Sequence, residues 1–345
     1  MHRCLELSNK GAGNVAPNPM VGAVLVYEEK IIGEGWHQQY GKAHAEVNCV
    51  DDAIQSGNET LIPHSTLYVS LEPCAHFGKT PPCVDLIIKH RIPNVVIGSQ
   101  DPFSYVDGKG IEKLKNAGIN VEVGILENES RELNRRFFCF YTQHRPYIVL
   151  KWATTSDGFI AKSSQQPGSN RLLISNEYSN RLVHQWRSEE VAILVGTKTA
   201  LLDDPELTNR LWPGNSPTRL VVDMGLKLPL SLKLFNEKAK TIVFNTVKHE
   251  EQGNILYYQV TSDVSVVHQI VKALYQLKIQ SVLVEGGARL LQSFIDEGMW
   301  DEARVICNMQ LAIGKGLEAP RLGSAIEMRK EQLGSDEIAY YRRKG

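Results

Sequence analysis

His44, Cys74 and Cys83 constrain this chain more than any other feature. One imidazole and two thiols suit a tetrahedral zinc, and three protein ligands leave one position for water, the composition of a catalytic rather than a closed structural site. Any fold the chain adopts must bring these separated residues to one point. Local patterns show how. His44 opens a helix pattern that runs to about Gln55, and Cys74 follows a strand pattern from Thr66 to Leu71. Cys83 falls in the first turn of a second helix, opened by Pro81-Pro82, where proline costs no intrahelical hydrogen bond. A helix N-terminus favours thiolate over thiol, and the end of a strand is where α/β folds place ligands. Glu46 stands two residues past His44 as a candidate proton carrier. A zinc-activated water beside a glutamate is the equipment for hydrolytic removal of an amino group from a nucleobase-like ring. Taken singly the pieces are ambiguous. His-x-Glu is common, two cysteines nine positions apart can be packed thiols, and His76 beside Cys74 is a rival ligand.

Strand and helix patterns alternate throughout. Val21–Val26 and Lys30–Trp36 read as a hairpin, Val95–Gly98 and Val121–Val123 as strands, Ile111–Ala117 as a helix, and Glu127–Tyr141 as one longer helix. Arg145-Pro146 breaks that helix, because the residue before proline is pushed out of helical geometry. The boundary expected there separates domains 1–144 and 145–345. In the second, strands are expected near Tyr147–Trp152, Val191–Val195, Arg219–Asp223, Thr241–Phe244 and Ser281–Val284, with helices near Asn176–Arg187, Val264–Leu277 and Ala288–Glu297. Both halves therefore read as three-layer α/β units. The polar run after Ala319 suggests no more than a terminal strand or hairpin.

A formal net charge of −1 gives no electrostatic reason to expect nucleic acid as a partner. The six cysteines are scattered and do not form a disulfide framework. The first residues lack a signal-peptide core, and no apolar run approaches the length of a bilayer span. A soluble protein of the reducing cytoplasm, away from membranes, is the expectation, with its thiols free for metal.

The second half carries no Gly-x-Gly-x-x-Gly after a strand, so a Rossmann dinucleotide site is not indicated. Three segments stand out instead: Lys151–Gly158, Val195–Thr208, and Val284-Glu285-Gly286-Gly287-Ala288-Arg289. The last is a strand, a Gly-Gly turn and a helix, which exposes backbone N–H groups suited to a phosphate. A plain tight turn explains it equally well, and Asp203-Asp204-Pro205 reads as a turn or cap.

The runs Ala16-Pro17-Asn18-Pro19-Met20-Val21-Gly22, Gly35-Trp36-His37, His44-Ala45-Glu46-Val47, Leu71-Glu72-Pro73-Cys74 through Gly78-Lys79-Thr80-Pro81-Pro82-Cys83, and Gln100-Asp101-Pro102 together resemble the riboflavin-biosynthesis deaminase of the cytidine-deaminase superfamily. The resemblance covers the whole chain, since bacterial members carry a reductase after the deaminase. It implies an N-terminal cytidine-deaminase-like α/β/α sandwich and a C-terminal dihydrofolate-reductase-like α/β domain. It implies Zn2+ on His44, Cys74 and Cys83, with Glu46 as catalytic acid and base. The implied substrate is a small phosphorylated pyrimidine, a diaminopyrimidinone carrying a ribosylamino phosphate, held by Asn18, His37, Lys79 and Asp101. In the second half it implies NADPH against Thr154, Leu172, Thr199, Asp203, Gly286, Gly287 and Ala288, and the deaminated sugar phosphate against Asn170, Arg187, Leu207, Arg210 and Glu285. A homo-oligomer is implied as well. One stretch departs from the family pattern Gly-Glu-Ser-x-Trp-Ile-Thr. Here it is Gly168-Ser169-Asn170-Arg171-Leu172-Leu173-Ile174-Ser175, so Asn170 replaces a hydroxyl and Leu172 lacks the indole N–H. Two rival readings remain at this point: a nucleoside or tRNA deaminase fused to an unrelated α/β domain, and a zinc-stabilised binding module without catalysis.

Overall fold

The computed structural model describes residues 1–77, 81–104, 106–162 and 172–344. They form two compact units, Met1–His144 and Arg145–Gly345.

In the first unit, α1 (His2–Asn9) precedes the hairpin of β1 (Gly22–Tyr27) and β2 (Lys30–Trp36). Then follow α2 (Ala45–Gln55), β3 (Thr66–Leu71), α3 (Cys83–Lys89), β4 (Asn94–Ser99), α4 (Lys109–Asn116), β5 (Asn120–Val123), α5 (Glu127–Leu133) and α6 (Arg135–Gln143). The sheet order is β2-β1-β3-β4-β5, with β1 antiparallel to both neighbours and β3, β4 and β5 parallel. Alternation along the strands separates two faces. Ala23, Leu25, Leu67 and Val69 pack with Ala45, Cys49, Val84 and Ile87 of α2 and α3. Val24 points the other way, onto Cys4 and Leu7 of α1.

Two glycines set how close α2 lies. A Cβ at Gly35 would meet the Cys49 nitrogen at 2.3 Å and the Ala45 oxygen at 2.5 Å; one at Gly33 would meet the Cys49 oxygen at 2.5 Å. The helix backbone rests directly on β2, which fixes the height of its N-cap residue, His44. The expected single helix over 127–141 is two, parted at Asn134 (φ −99°, ψ 22°). The Asn134 side chain bonds both backbone groups of Met20, at 2.8 and 2.9 Å, and so holds the loop that bears Asn18.

The second unit contains β6 (Tyr147–Thr155), β7 (Phe159–Lys162), α7 (Glu177–Glu189), β8 (Ala192–Gly196), α8 (Thr197–Asp203), β9 (Thr218–Val222), β10 (Thr241–Asn245), β11 (Glu250–Gln252) and β12 (Ile255–Gln259). It continues with α9 (Val266–Gln276), β13 (Ser281–Val284), α10 (Ala288–Asp296), β14 (Glu302–Asn308), β15 (Gly316–Glu318), β16 (Ala325–Leu333) and β17 (Asp336–Arg343). Its large sheet runs β11-β12-β10-β9-β8-β13-β6-β14-β17-β16, parallel from β12 to β14 and antiparallel at both edges. One face packs on α9 and α10 through Ile148, Leu194, Ile270 and Phe294. The other carries Ile193, Val195 and Val221 against Ala200 of α8. β13 lies between β8 and β6, so the carboxyl ends of three adjacent parallel strands meet where the chain order switches, the usual place for a ligand crevice. The polar tail is more ordered than its composition suggests: β16 and β17 form a hairpin on β14, with β16 largely exposed.

Candidate active sites

His44 is the extended N-cap of α2, Cys74 follows β3, and Cys83 is the first residue of α3. The fold brings them together. His44 Nδ1 lies 3.3 Å from Cys83 Sγ and 3.6 Å from Cys74 Sγ, and the three donor atoms lie within 4.8 Å of one another. Among the described residues this is the one such group of histidine, cysteine and carboxylate donors. His76 lines the same cavity but is not part of that group. Hydrogen bonding from Cys83, then from His44, holds the Cys74 thiol well below its ordinary range, while hydrogen bonding to Cys74 and burial drive Cys83 up. The backbone N–H of Cys83 also donates to Cys74 Sγ at 3.4 Å. Two cysteine sulfurs and an imidazole converged on one point fit a zinc ion by donor chemistry.

Beside them is a cavity of about 290 Å³. Its walls include Asn18, His37, Glu46, Asp101 and Phe103. Glu46 is buried, and burial raises its pKa, so its carboxyl holds a proton more readily than an exposed one. His37 Nδ1 lies 2.9 Å from the Ala43 carbonyl, which only an N–H can satisfy. Nε2 is then the acceptor for the Asn18 amide at 3.1 Å, and burial lowers the His37 pKa and keeps the ring neutral. Burial raises Asp101 to about 7, while the Phe103 N–H donates to its side chain at 2.8 Å. Three of the four expected pyrimidine contacts thus line one cavity; the fourth, Lys79, lies outside the described residues.

In the second unit, Gly286, Gly287 and Ala288 carry the chain from β13 into α10. A Cβ at Gly286 would strike the Val195 Cα at 2.6 Å, and one at Gly287, where φ is +64°, would meet Thr199 Oγ1 at 3.2 Å. The turn therefore abuts the start of α8, and four expected cofactor residues adjoin. Asp203 ends α8, and Thr154 is buried near the end of β6. A tight, side-chain-free turn at a helix N-terminus fits a dinucleotide phosphate. Leu172 lies in the irregular segment before α7, and Asn170 lies outside the described residues.

Arg187 grips Glu285 with two parallel hydrogen bonds, and its third nitrogen reaches the Thr208 carbonyl at 3.4 Å. Arg210 is half exposed and donates to Thr208 Oγ1 at 2.9 Å and to Glu206 at 3.2 Å. Leu207 differs from the other expected substrate residues. Its φ is +56° and its side chain is sunk in the α8 core, so only its backbone can face a ligand. Three residues given no role by the sequence support these sites: Asn134, Glu72, and His184, whose Nδ1 accepts the Arg210 backbone N–H at 2.9 Å. Glu72 stands in a quoted motif and the other two in none, but each acts by bonding the backbone of a distant segment.

Residues 1–99 match the cytidine and deoxycytidylate deaminase zinc-binding region, and residues 146–333 match the RibD C-terminal domain. The chain belongs to the RibD family. It is 42% identical to the riboflavin biosynthesis protein RibD of Aquifex aeolicus, over 99% of this chain and 97% of that one. It is 38% identical to RibD of Bacillus amyloliquefaciens, over 88% and 81% of the two chains. Among solved structures, the diaminohydroxyphosphoribosylaminopyrimidine deaminase/5-amino-6-(5-phosphoribosylamino)uracil reductase of Thermotoga maritima aligns with TM-score 0.89 and 37% identity, covering 100% of this chain and 97% of the other. RibD of Acinetobacter baumannii aligns with TM-score 0.89 at 29% identity, covering 100% and 98%. As expected from the motifs, the fold is a cytidine-deaminase-like domain followed by a RibD reductase domain. The second half is thus not an unrelated α/β domain. No described helix is long and apolar enough to cross a membrane.

Proposed function

We propose that the unit Met1–His144 deaminates a diaminopyrimidinone bearing a ribosylamino phosphate, and that Arg145–Gly345 reduces the deaminated product with NADPH, two successive steps of riboflavin biosynthesis. The observation that carries this is the convergence of His44, Cys74 and Cys83 beside buried Glu46 in one cavity. When bound by those three residues, zinc supplies the Lewis acidity that makes water a nucleophile near neutral pH. Glu46 accepts one proton of the attacking water and passes it to a ring nitrogen, then takes the second from the hydroxyl now on the ring carbon and delivers it to the departing amine, so that a C–O bond replaces a C–N bond and ammonia leaves. A carboxyl with a raised pKa suits both directions of transfer. Neutral His37 and Asn18, coupled by their hydrogen bond, and Asp101 hold the ring; Lys79 holds the phosphate tail.

In the second unit NADPH, when bound, supplies the hydride that reduces the sugar's C1′ and opens the ribose to a ribityl chain. The Gly286–Ala288 turn, Thr154, Leu172, Thr199 and Asp203 cradle the cofactor. Arg187, Arg210, Glu285, Asn170 and the Leu207 backbone orient the sugar phosphate. The net charge of −1 supports the absence of a nucleic-acid partner, the scattered free cysteines support a reducing cytoplasm, and the family likeness supports a homo-oligomer. The direct test supplies the purified protein with the diaminopyrimidinone. Ammonia should appear first, and NADPH oxidation should follow only after deamination. Ammonia release without subsequent NADPH oxidation would remove the second activity, and no ammonia at all would remove the first.

A further inference from the structure

Glu72 sits at the end of β3, two residues before Cys74, and is buried. Both of its oxygens accept backbone hydrogen bonds from beyond β4. Oε2 receives the N–H groups of Asp101 at 3.2 Å and Gly108 at 3.0 Å, and Oε1 those of Gly110 at 2.9 Å and Ile111 at 3.2 Å. Gly108 is the N-cap of α4, and Gly110 and Ile111 belong to its first turn, where N–H groups have no intrahelical partner. Glu72 therefore caps α4 from a distant strand and, with the same carboxylate, holds the other end of the loop at Asp101. Charge-assisted bonds of this kind are the strong ones. The packing leaves little play: a Cβ at Gly110 would meet the Pro73 carbonyl at 2.1 Å and Glu72 Oε1 at 3.1 Å. Within the loop, Gln100 donates to Asp107 at 2.9 Å. Asp101, Phe103 and Val106 of this loop line the cavity.

We propose that Glu72 is a positioning residue for deamination, setting Asp101 against the pyrimidine from the same stretch of chain that presents Cys74. This rests on the function proposed above, since it takes the cavity to hold that substrate. Glu72 acts through Asp101 and moves no proton itself. An amide at this position has one oxygen, and its NH2 would face two N–H donors, so the loop must shift.

The test is a double-mutant cycle of Glu72→Gln and Asp101→Asn, reading zinc content, KM and kcat for ammonia release. Glu72→Gln should keep one zinc per chain and raise KM by roughly tenfold or more, the scale of a hydrogen bond to a charged acceptor, with a smaller change in kcat. Asp101→Asn should raise KM as well, and the double variant should be no worse than Asp101→Asn alone. Glu72→Asp, which keeps both acceptors at shorter reach, should fall between. An unchanged KM, multiplicative effects in the double variant, or loss of zinc in Glu72→Gln would each overturn the assignment, as would failure of both Glu72 variants to fold. If the unsubstituted protein releases no ammonia, the proposed function falls and this inference with it. An active parent with an unmoved KM in the variant removes the inference alone.

Discussion

Glu285 receives both arms of the Arg187 guanidinium, at 2.9 and 2.8 Å, where β13 meets the Gly-Gly turn. The two side chains are 13% and 8% exposed, so breaking the pair leaves a charge with little water around it. Lys151, 3.9 Å from Glu285, offsets only part of that loss. Arg187→Ala should therefore destabilise the second unit, by about 3 kcal/mol given a range of roughly 3–5 for buried pairs, and abolish NADPH oxidation. Arg187→Lys should not restore it, because an ammonium cannot form the two-pronged contact. Thermal unfolding and a reductase assay check this, with ammonia release as the internal control.

His184 gives the reductase unit an acid-side weakness. Burial, with the cations of Arg187 and Arg210, holds its pKa down to about 4 from an ordinary 6.5, against a smaller upward pull from Glu285. Between those values the unfolded chain binds a proton that the folded one refuses. Stability should therefore fall as pH drops from about 6.5 towards 4, with no contribution from this group above that window. His184→Gln keeps an acceptor for the Arg210 N–H and has nothing to titrate. Denaturant midpoints followed across the window should fall less steeply in the variant; parallel slopes would contradict the assignment.

Gly35→Ala tests how the metal site is placed. The added carbon would lie 2.3 Å from one backbone atom of α2 and 2.5 Å from another, none of which can rotate away. Lifting the helix should cost about 1–3 kcal/mol or more and move His44 off the two thiols. Lower thermal stability together with weaker zinc retention is expected, and an effect on stability alone would separate the helix packing from the metal site.

Glu46→Gln separates proton transfer from metal binding. Zinc content should be unchanged while ammonia release falls by about a hundredfold to ten-thousandfold, the range for a lost general acid–base. Full activity in the variant would take Glu46 out of the mechanism.

What the sequence disclosed follows from where each residue acts. His44, Cys74 and Cys83 stand at helix starts and a strand end, which periodicity and proline placement mark locally, so their convergence was legible. Glu72, Asn134 and His184 were not, because each serves by bonding backbone far along the chain, and no residue type or spacing records that. The break at Asn134 escaped for the same reason: the pattern over 127–141 stays helical, but the side chain is engaged on Met20. The terminal strand or hairpin expected after Ala319 is the β16–β17 hairpin; its strand bounds were not legible because β16 is exposed and needs no apolar alternation. Leu207 looks like a ligand contact by resemblance, yet its side chain is buried in the core beside α8.

The most direct measurement is zinc content alongside ammonia release for the parent protein, Cys74→Ser and Cys83→Ser. One zinc per chain and active deamination in the parent, with both lost in each variant, is the expected result. Stoichiometric zinc in either variant, or ammonia released from the pyrimidine by zinc-free protein, would contradict it.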